Sequence, residues 1–237
     1  MKLHLSTLLL CAMLPAAFAA ERCESQSGPS VPLVVELYTS EGCNSCPPAD
    51  HWLSGLKGRR DVVALTFHVD YWDRLGWVDR FADAAYTRRQ VEQQRLGGGG
   101  FVYTPQVLVD GRDWRHWPQL PAASRASVVE LRLARDGERV RAQVMPLAGA
   151  PAQLAGYWVA TEDGHVSQVK AGENAGVMLR HDGVVRSYQP VGAFSGAREL
   201  SFASPAAGEG QRPRRVTLVV TDGRGVPLQA ASLTCGG

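Results

Sequence analysis

The chain has 237 residues, of which 45% are hydrophobic and 20% charged, and its formal net charge is +2. That length suits one large domain or two small ones, and the composition is that of a globular protein able to form a packed core. The near-neutral balance and the lack of a long basic run exclude nucleic acid as an expected partner, and the cluster Arg212, Arg214, Arg215 reads as a solvated loop.

Residues 1–19 read as a targeting segment rather than as fold. Lys2 gives a positive start, LHLSTLLLCAML is a short apolar stretch, and Ala17-Phe18-Ala19 fits a small-x-small cleavage site, so cleavage is expected after Ala19. The apolar part is too short to span a bilayer, and no later segment reaches the roughly 20 apolar residues that a span needs. Cys11 leaves with the leader, since Leu9 and Leu10 do not suit a lipoprotein site. The mature protein is expected to be exported, periplasmic or secreted, with no membrane span.

Residues 20–30 are a polar leader, and VPLVVELYTS then reads as a buried strand. Two cysteines follow in the string EGCNSCPPAD. Ala49, Trp52, Leu53 and Leu56 recur at i, i+3, i+4 and i+7, the pattern of an amphipathic helix, ended by Gly58. DVVALTFHV has the continuous apolar character of a parallel strand buried on both faces. DRFADAAYTRRQVEQQRL predicts a second helix closed by Gly97–Gly100, and PQVLVDGRDWRHW predicts a hairpin turning at Asp110-Gly111. The order predicts a three-layer α/β domain over residues 31–123, its first two strands parallel with a right-handed crossover.

From Ser124 the texture changes to short alternating strands. Asp136-Gly137, Asp163-Gly164, Asp182-Gly183 and Asp222-Gly223 are turn signals, and about eight strands between them predict an antiparallel β-sandwich over residues 124–237.

An exported chain meets oxidising conditions, so its four remaining cysteines, Cys23, Cys43, Cys46 and Cys235, are expected to pair. Three pairings exist, and the economical one joins Cys43 to Cys46 and Cys23 to Cys235, the latter a structural staple. Cys43 is expected between a strand end and a helix start. There the amides of Asn44, Ser45 and Cys46 would face its sulfur and favour the thiolate, with Cys46 placed to resolve a mixed disulfide. The second strand would deliver His68 and Asp70 to the same sheet edge, with Tyr71, Trp72 and Trp77 as an aromatic wall, and Thr104-Pro105 would open the next strand there, in the cis form.

The strings ELYTSEGCNSCPPAD, FHVDYWDRLGW, YTPQVLVDG and GENAGVMLRHDGVVR resemble a family of exported, functionally uncharacterised thioredoxin-like proteins, from about Val31 to Phe194. The resemblance implies an α/β thioredoxin-like domain with thiol-disulfide activity, in which Cys43 attacks, Cys46 resolves and Pro105 is the cis-proline. Gly42 stands where the superfamily usually has tryptophan, and Pro47 and Pro48 follow the pair rather than lying within it. Glu36 is a further candidate tuner, one residue out of step with the buried acid of thioredoxin.

Together these features predict an exported thiol-disulfide oxidoreductase acting on protein thiols and disulfides, with a redox partner and no organic cofactor. Thr104, Pro105, Tyr71 and Trp72 would bind substrate, and His68 and Asp70 would tune the cysteines. His68 reads equally as a strand-end histidine bonded to backbone. One alternative is a Cu(I) carrier holding copper on Cys43, Cys46 and His68; another is a binding protein with an inert bridge. Glu173, Asn174, Arg180, His181 and Arg186 read as turn and surface residues.

Overall fold

The computed structural model describes residues 23–122, 125–203 and 212–235, so the expected cleaved segment through Ala19, with Cys11, lies outside the described residues. Part of the expected polar leader is instead structured, as β1 (Glu24–Gln26) and β2 (Ser30–Val31). The buried run Leu33–Thr39 is β3, followed by α1 (Pro47–Ser54), β4 (Val62–His68), one 3-10 turn at Asp73–Leu75, and α2 (Ala84–Leu96). Helix α2 starts later than its sequence pattern predicts, because Asp83 caps it by accepting the Ala85 amide at 2.7 Å. Strands β5 (Gln106–Val109) and β6 (Arg112–Asp113) form the expected hairpin.

The second half contributes β7 (Arg125–Ala126), β8 (Val129–Asp136), β9 (Arg139–Pro146), β10 (Leu154–Glu162), β11 (His165–Gln168), β12 (Met178–His181), β13 (Val184–Phe194), β14 (Arg198–Ala203), β15 (Arg215–Thr221) and β16 (Pro227–Thr234). Asp136-Gly137 and Asp222-Gly223 turn hairpins as expected, joining β8 to β9 and β15 to β16. Asp163-Gly164 and Asp182-Gly183 do not. They bracket a two-stranded arm, β11 paired with β12, inserted between β10 and β13, which pair with each other.

This pairing overturns the expected fold class of a thioredoxin-like α/β domain followed by a separate β-sandwich. The described residues are mostly β, 45% strand against 12% helix. Its largest sheet has eight strands in the order β16-β15-β10-β13-β4-β3-β5-β6, drawn from both halves of the sequence. The junction is a parallel contact of β13 with β4 at Val184 and Thr66. There the Thr66 amide donates to Gly183 O and its hydroxyl to Asp182 O, both at 2.8 Å. Gly183 fits because its φ is +63° and a Cβ would meet Ala64 O at 2.9 Å. Alternation and turn signals report that strands exist; they carry no information on which strand pairs with which across a hundred residues.

Helix α1 and the turn after it pack on one face of β3, β4 and β5 through Leu53 and Leu56 against Leu33, Val35 and Leu37. Helix α2 packs on the other face through Tyr86, against Tyr38 and Phe67. At the far end, the four-stranded sheet β1-β8-β9-β14 covers β10, β15 and β16 around Trp158, Leu131 and Leu218. Cys23 and Cys235 pair as expected, with Cα atoms 5.7 Å apart, and pack against that core.

Glu36 is the ion that ties these layers together. Arg89 Nη2 and the Tyr157 hydroxyl both reach Glu36 Oε1 at 2.5 Å, and the Tyr38 hydroxyl donates to Oε2 at 2.9 Å. The Arg89 guanidinium also lies 4.0 Å from the centre of the Tyr157 ring. Glu36 therefore locks α2 and β10 onto β3 and does not tune the cysteines. Glu36→Ala strands a buried guanidinium, and a loss of about 3–5 kcal/mol is expected in urea unfolding.

Candidate functional site

The cysteine loop is built by short-range backbone bonds. The Cys43 amide donates to Ser40 O at 3.1 Å and the Cys46 amide to Cys43 O at 3.2 Å, which folds Ser40–Cys46 into two successive turns. Cys46 is the N-cap of α1, and its carbonyl accepts from Ala49 and Asp50. Pro47 and Pro48 occupy the first helical positions, where a missing N–H costs nothing. Cys43 and Cys46 are joined in a disulfide, and both residues are 0% exposed. The expected trio of amides around the Cys43 sulfur is not found. The Asn44 amide turns to Glu173 Oε2 at 3.3 Å and that of Cys46 to backbone, while Cys43 Sγ has Ser45 Oγ at 3.4 Å.

The arm packs over the cysteine loop. Its strands alternate, with His165, Ser167, Leu179 and His181 turned inward, and its connecting turn, Val169–Val177, folds over the cysteine loop. Asn174 Nδ2 donates to Glu41 O and to Cys43 O, each at 2.9 Å. Gly172, at φ +74°, lets the turn sit against Trp77, where a Cβ would approach Trp77 Cβ to 3.3 Å. The base of the arm is held by Glu162, whose carboxylate accepts from Arg214 Nε at 2.7 Å and lies 3.0 Å from His165 Nε2.

Beneath the loop lies a buried polar cluster. Sequence reasoning placed His68 at this sheet edge but missed Glu41, Asp50, Asp79 and His181. Their one sequence signal is the apolar-polar alternation of MLRH, which points His181 to the same side as Leu179. His68 Nδ1 is 2.6 Å from Asp79 Oδ2, whose other contacts include the Glu41 amide at 2.9 Å. His181 spans two carboxylates, with Nδ1 3.4 Å from Asp50 Oδ1 and Nε2 3.4 Å from Glu41 Oε1. Thr39 Oγ1 donates to Asp50 Oδ2 at 2.8 Å, and Trp77 Nε1 to Glu41 Oε2 at 2.7 Å.

Electrostatics follow this geometry. Burial disfavours the His181 imidazolium, but hydrogen bonds and charge from Asp50 and Glu41 outweigh it and raise the group to about 9. Burial pushes the Glu41 carboxyl up, and the hydrogen bond to His181 more than offsets this and holds it low. Asp79 is likewise pushed up by burial and pulled below its usual range by the charge and hydrogen bond of His68.

The remaining expected residues divide. Thr104-Pro105 is cis, and Thr104 Oγ1 accepts from Trp72 Nε1 at 2.8 Å. Trp72 in turn abuts Gly42, where a Cβ would lie 3.2 Å from Trp72 Cβ, so Trp72 links Thr104 to the cysteine loop. Beside them is a shallow depression of about 370 Å³ lined by Phe101, Tyr103, Pro105, Arg115 and Trp117. Tyr71 has a buried hydroxyl, and burial raises its pKa. Asp70 accepts from Thr87 Oγ1 at 2.6 Å and serves the start of α2. The contacts of His68 go to Asp79, Phe81 and His181.

With this geometry in view, comparison with known proteins gives one assignment. Residues 34–221 match the family described as Protein of unknown function (DUF1223). The chain belongs to the DUF1223 family. An Agrobacterium tumefaciens protein solved by X-ray crystallography as a structural-genomics target is similar to this DUF1223 chain, with a TM-score of 0.65 and 26% identity over 87% of this chain and 96% of that one. No curated relative matches. The DUF1223 match spans β3 to β15, so the cysteine loop, the arm and the buried cluster all fall within it. The described residues of this DUF1223 chain contain no helix long and apolar enough to cross a membrane.

Two outcomes are expected of the arm. Asn174→Ala removes both hydrogen bonds to the cysteine loop, and the rate at which glutathione reduces Cys43–Cys46 is expected to rise on the order of tenfold. At the arm's base, burial pushes the Glu162 carboxyl up, but the hydrogen bond and charge of Arg214 prevail and hold it below the carboxylate range. A carboxyl held low stabilises the fold above its unfolded pKa of about 4.3 and loses that contribution as pH falls through the folded value. Glu162→Gln is therefore expected to lower the unfolding midpoint at neutral pH, with the gap to wild type narrowing on acidification below the unfolded value.

Proposed function

We propose that this protein is an exported thiol-disulfide oxidoreductase, with Cys43 and Cys46 as its exchanging pair and protein thiols or disulfides as its substrates. The observation that carries this reading is the contrast between the two disulfides. Cys23–Cys235 packs on the apolar core, whereas Cys43–Cys46 belongs to none of the apolar clusters and sits between a polar cluster and a turn held by a few hydrogen bonds. In the chain-entropy account, closing the short Cys43–Cys46 loop stabilises by only about 2 kcal/mol, against about 5 kcal/mol for the long Cys23–Cys235 loop. Stapling is thus a weak reason for the short bridge.

The turn Val169–Val177 closes the resting state, and exchange follows its displacement. In the reduced protein the Cys43 thiolate attacks a substrate disulfide, forming a mixed disulfide and releasing one substrate thiolate, which takes a proton. The Cys46 thiolate then attacks Cys43 Sγ, releasing the second substrate thiolate and restoring the Cys43–Cys46 bond. Two electrons pass to the substrate, and a redox partner of the same thiol-disulfide class returns them to the pair. Asn174 contacts the Cys43 carbonyl, so displacing the turn releases the backbone of the attacking cysteine. The aromatic depression beside Pro105 provides a surface for the substrate chain.

Cys46→Ser, expressed in the native compartment, is expected to accumulate mixed disulfides through Cys43, identified by mass spectrometry after thiol blocking. Their absence, with the variant folded, would falsify the exchange reading.

A further inference from the structure

His68 Nε2 is a buried ring nitrogen without a hydrogen-bond partner beneath the cysteine loop, and beside it Glu41 Oε1 and His181 Nε2 face each other at 3.4 Å. His68 is 0% exposed, so bulk water does not satisfy that nitrogen. The ring centroids of His68 and His181 are 4.9 Å apart, and ligand atoms from Asp50, His68 and His181 all lie within 4.8 Å of one another. We propose that Asp50, His68 and His181 form a site for one divalent transition-metal ion of the zinc class, separate from the sulfurs.

The donor set suits that ion. Two imidazoles and a carboxylate are borderline ligands, and such triads hold zinc or non-haem iron with at least one position left open. His181 Nδ1 and Asp50 Oδ1 already stand 3.4 Å apart, near the roughly 3.4 Å spacing of two ligands around a tetrahedral ion bound at about 2.1 Å. Each ligand is also braced from behind. Asp79 holds His68 Nδ1 and leaves Nε2 free; Thr39 holds the second oxygen of Asp50; Glu41, itself fixed by Trp77, faces the far nitrogen of His181. Outer partners of this kind orient ligands around bound metals.

Charge points the same way. The ion pairs of Glu41, Asp50 and Asp79 are all with the two histidines. Three carboxylates against two imidazoles leave net negative charge in a buried pocket even when both rings are protonated, and uncompensated buried charge is costly. A divalent cation meets that deficit. The site is assembled by three separate segments, α1, β4 and the arm, so a bound ion cross-links the arm to the sheet.

The test uses the oxidised full-length protein, stripped with a chelator and titrated with Zn²⁺ against a chromophoric competitor, then with Co²⁺ to read its visible d–d bands. One tight equivalent is expected. Affinity is expected to fall roughly 100-fold or more in His68→Ala, His181→Ala and the near-isosteric Asp50→Asn, and to persist in the Cys43→Ser/Cys46→Ser double variant. Circular dichroism monitors folding. Should the histidine variants unfold, Asp50→Asn and the wild-type stoichiometry decide. No stoichiometric binding by wild type, binding indifferent to Asp50, or binding lost in the cysteine double variant each overturns the proposal. A positive result stands whether or not the cysteines exchange, because metal is read in the oxidised state and exchange by trapped adducts.

Discussion

The parallel contact between β13 and β4 organises the molecule. It is a small contact, Thr66 reaching Gly183 and Asp182, yet it makes one sheet from both halves of the chain. It also fixes distance. His68 lies two residues beyond Thr66 on β4, and His181 lies two before Gly183 on the arm, so the same pairing that joins the sheet sets the two imidazoles edge to face. The arm then has little freedom: His165 is drawn to Glu162 at its base and Asn174 to the cysteine loop at its tip.

Burial of charge is the second constraint. Charged groups rarely sit dry without compensation, and here Glu36 and Asp79, on opposite faces of the sheet, are compensated differently. Glu36 has Arg89 and two tyrosine hydroxyls, a closed set with every carboxylate oxygen engaged, and the result is a structural lock. Among the described residues, Asp79 and its neighbours Glu41 and Asp50 have no arginine or lysine, and their ion pairs are with histidines. Neutral donors from Thr39, Trp77 and backbone amides complete them, and His68 Nε2 is left without a partner. The negative field that draws His181 up to about 9 is a field that favours any cation at that point, proton or metal. An open set of this kind marks chemistry more readily than a closed one.

Local features of this fold were legible in the sequence and long-range ones were not. The β3 strand, both helices, the Asp110-Gly111, Asp136-Gly137 and Asp222-Gly223 hairpins and both disulfides follow from periodicity, turn residues and cysteine arithmetic. The fold class did not, because a boundary near Ala123 is a change of texture, and strands on either side of it pair regardless. The same blindness hid the site. Asp163-Gly164 and Asp182-Gly183 look like hairpin turns, yet they mark the ends of the arm, and Glu173, Asn174 and His181 look like loop polars until the arm is seen to fold back. Glu36 was misplaced for a simpler reason: distance in sequence from Cys43 does not say which face of β3 a side chain takes.

Glu41 joins the two halves of the site. Its carbonyl receives Asn174, its amide is held by Asp79, and its carboxylate faces His181 and Trp77, while Cys43 follows two residues on. The four residues from Cys43 to Cys46 are closed into a ring by the disulfide, and backbone bonds from Cys43 to Ser40 and from Ala49 to Cys46 also fix the loop that carries Glu41. Displacing Asn174 frees the Glu41 carbonyl from above, whereas the bonds of Glu41 with Asp79 and Trp77 do not involve the sulfurs. The cysteine loop and the polar cluster beneath it thus share one short segment, in which Glu41 is held by Asn174 from the arm and by Asp79 and Trp77 from the cluster side.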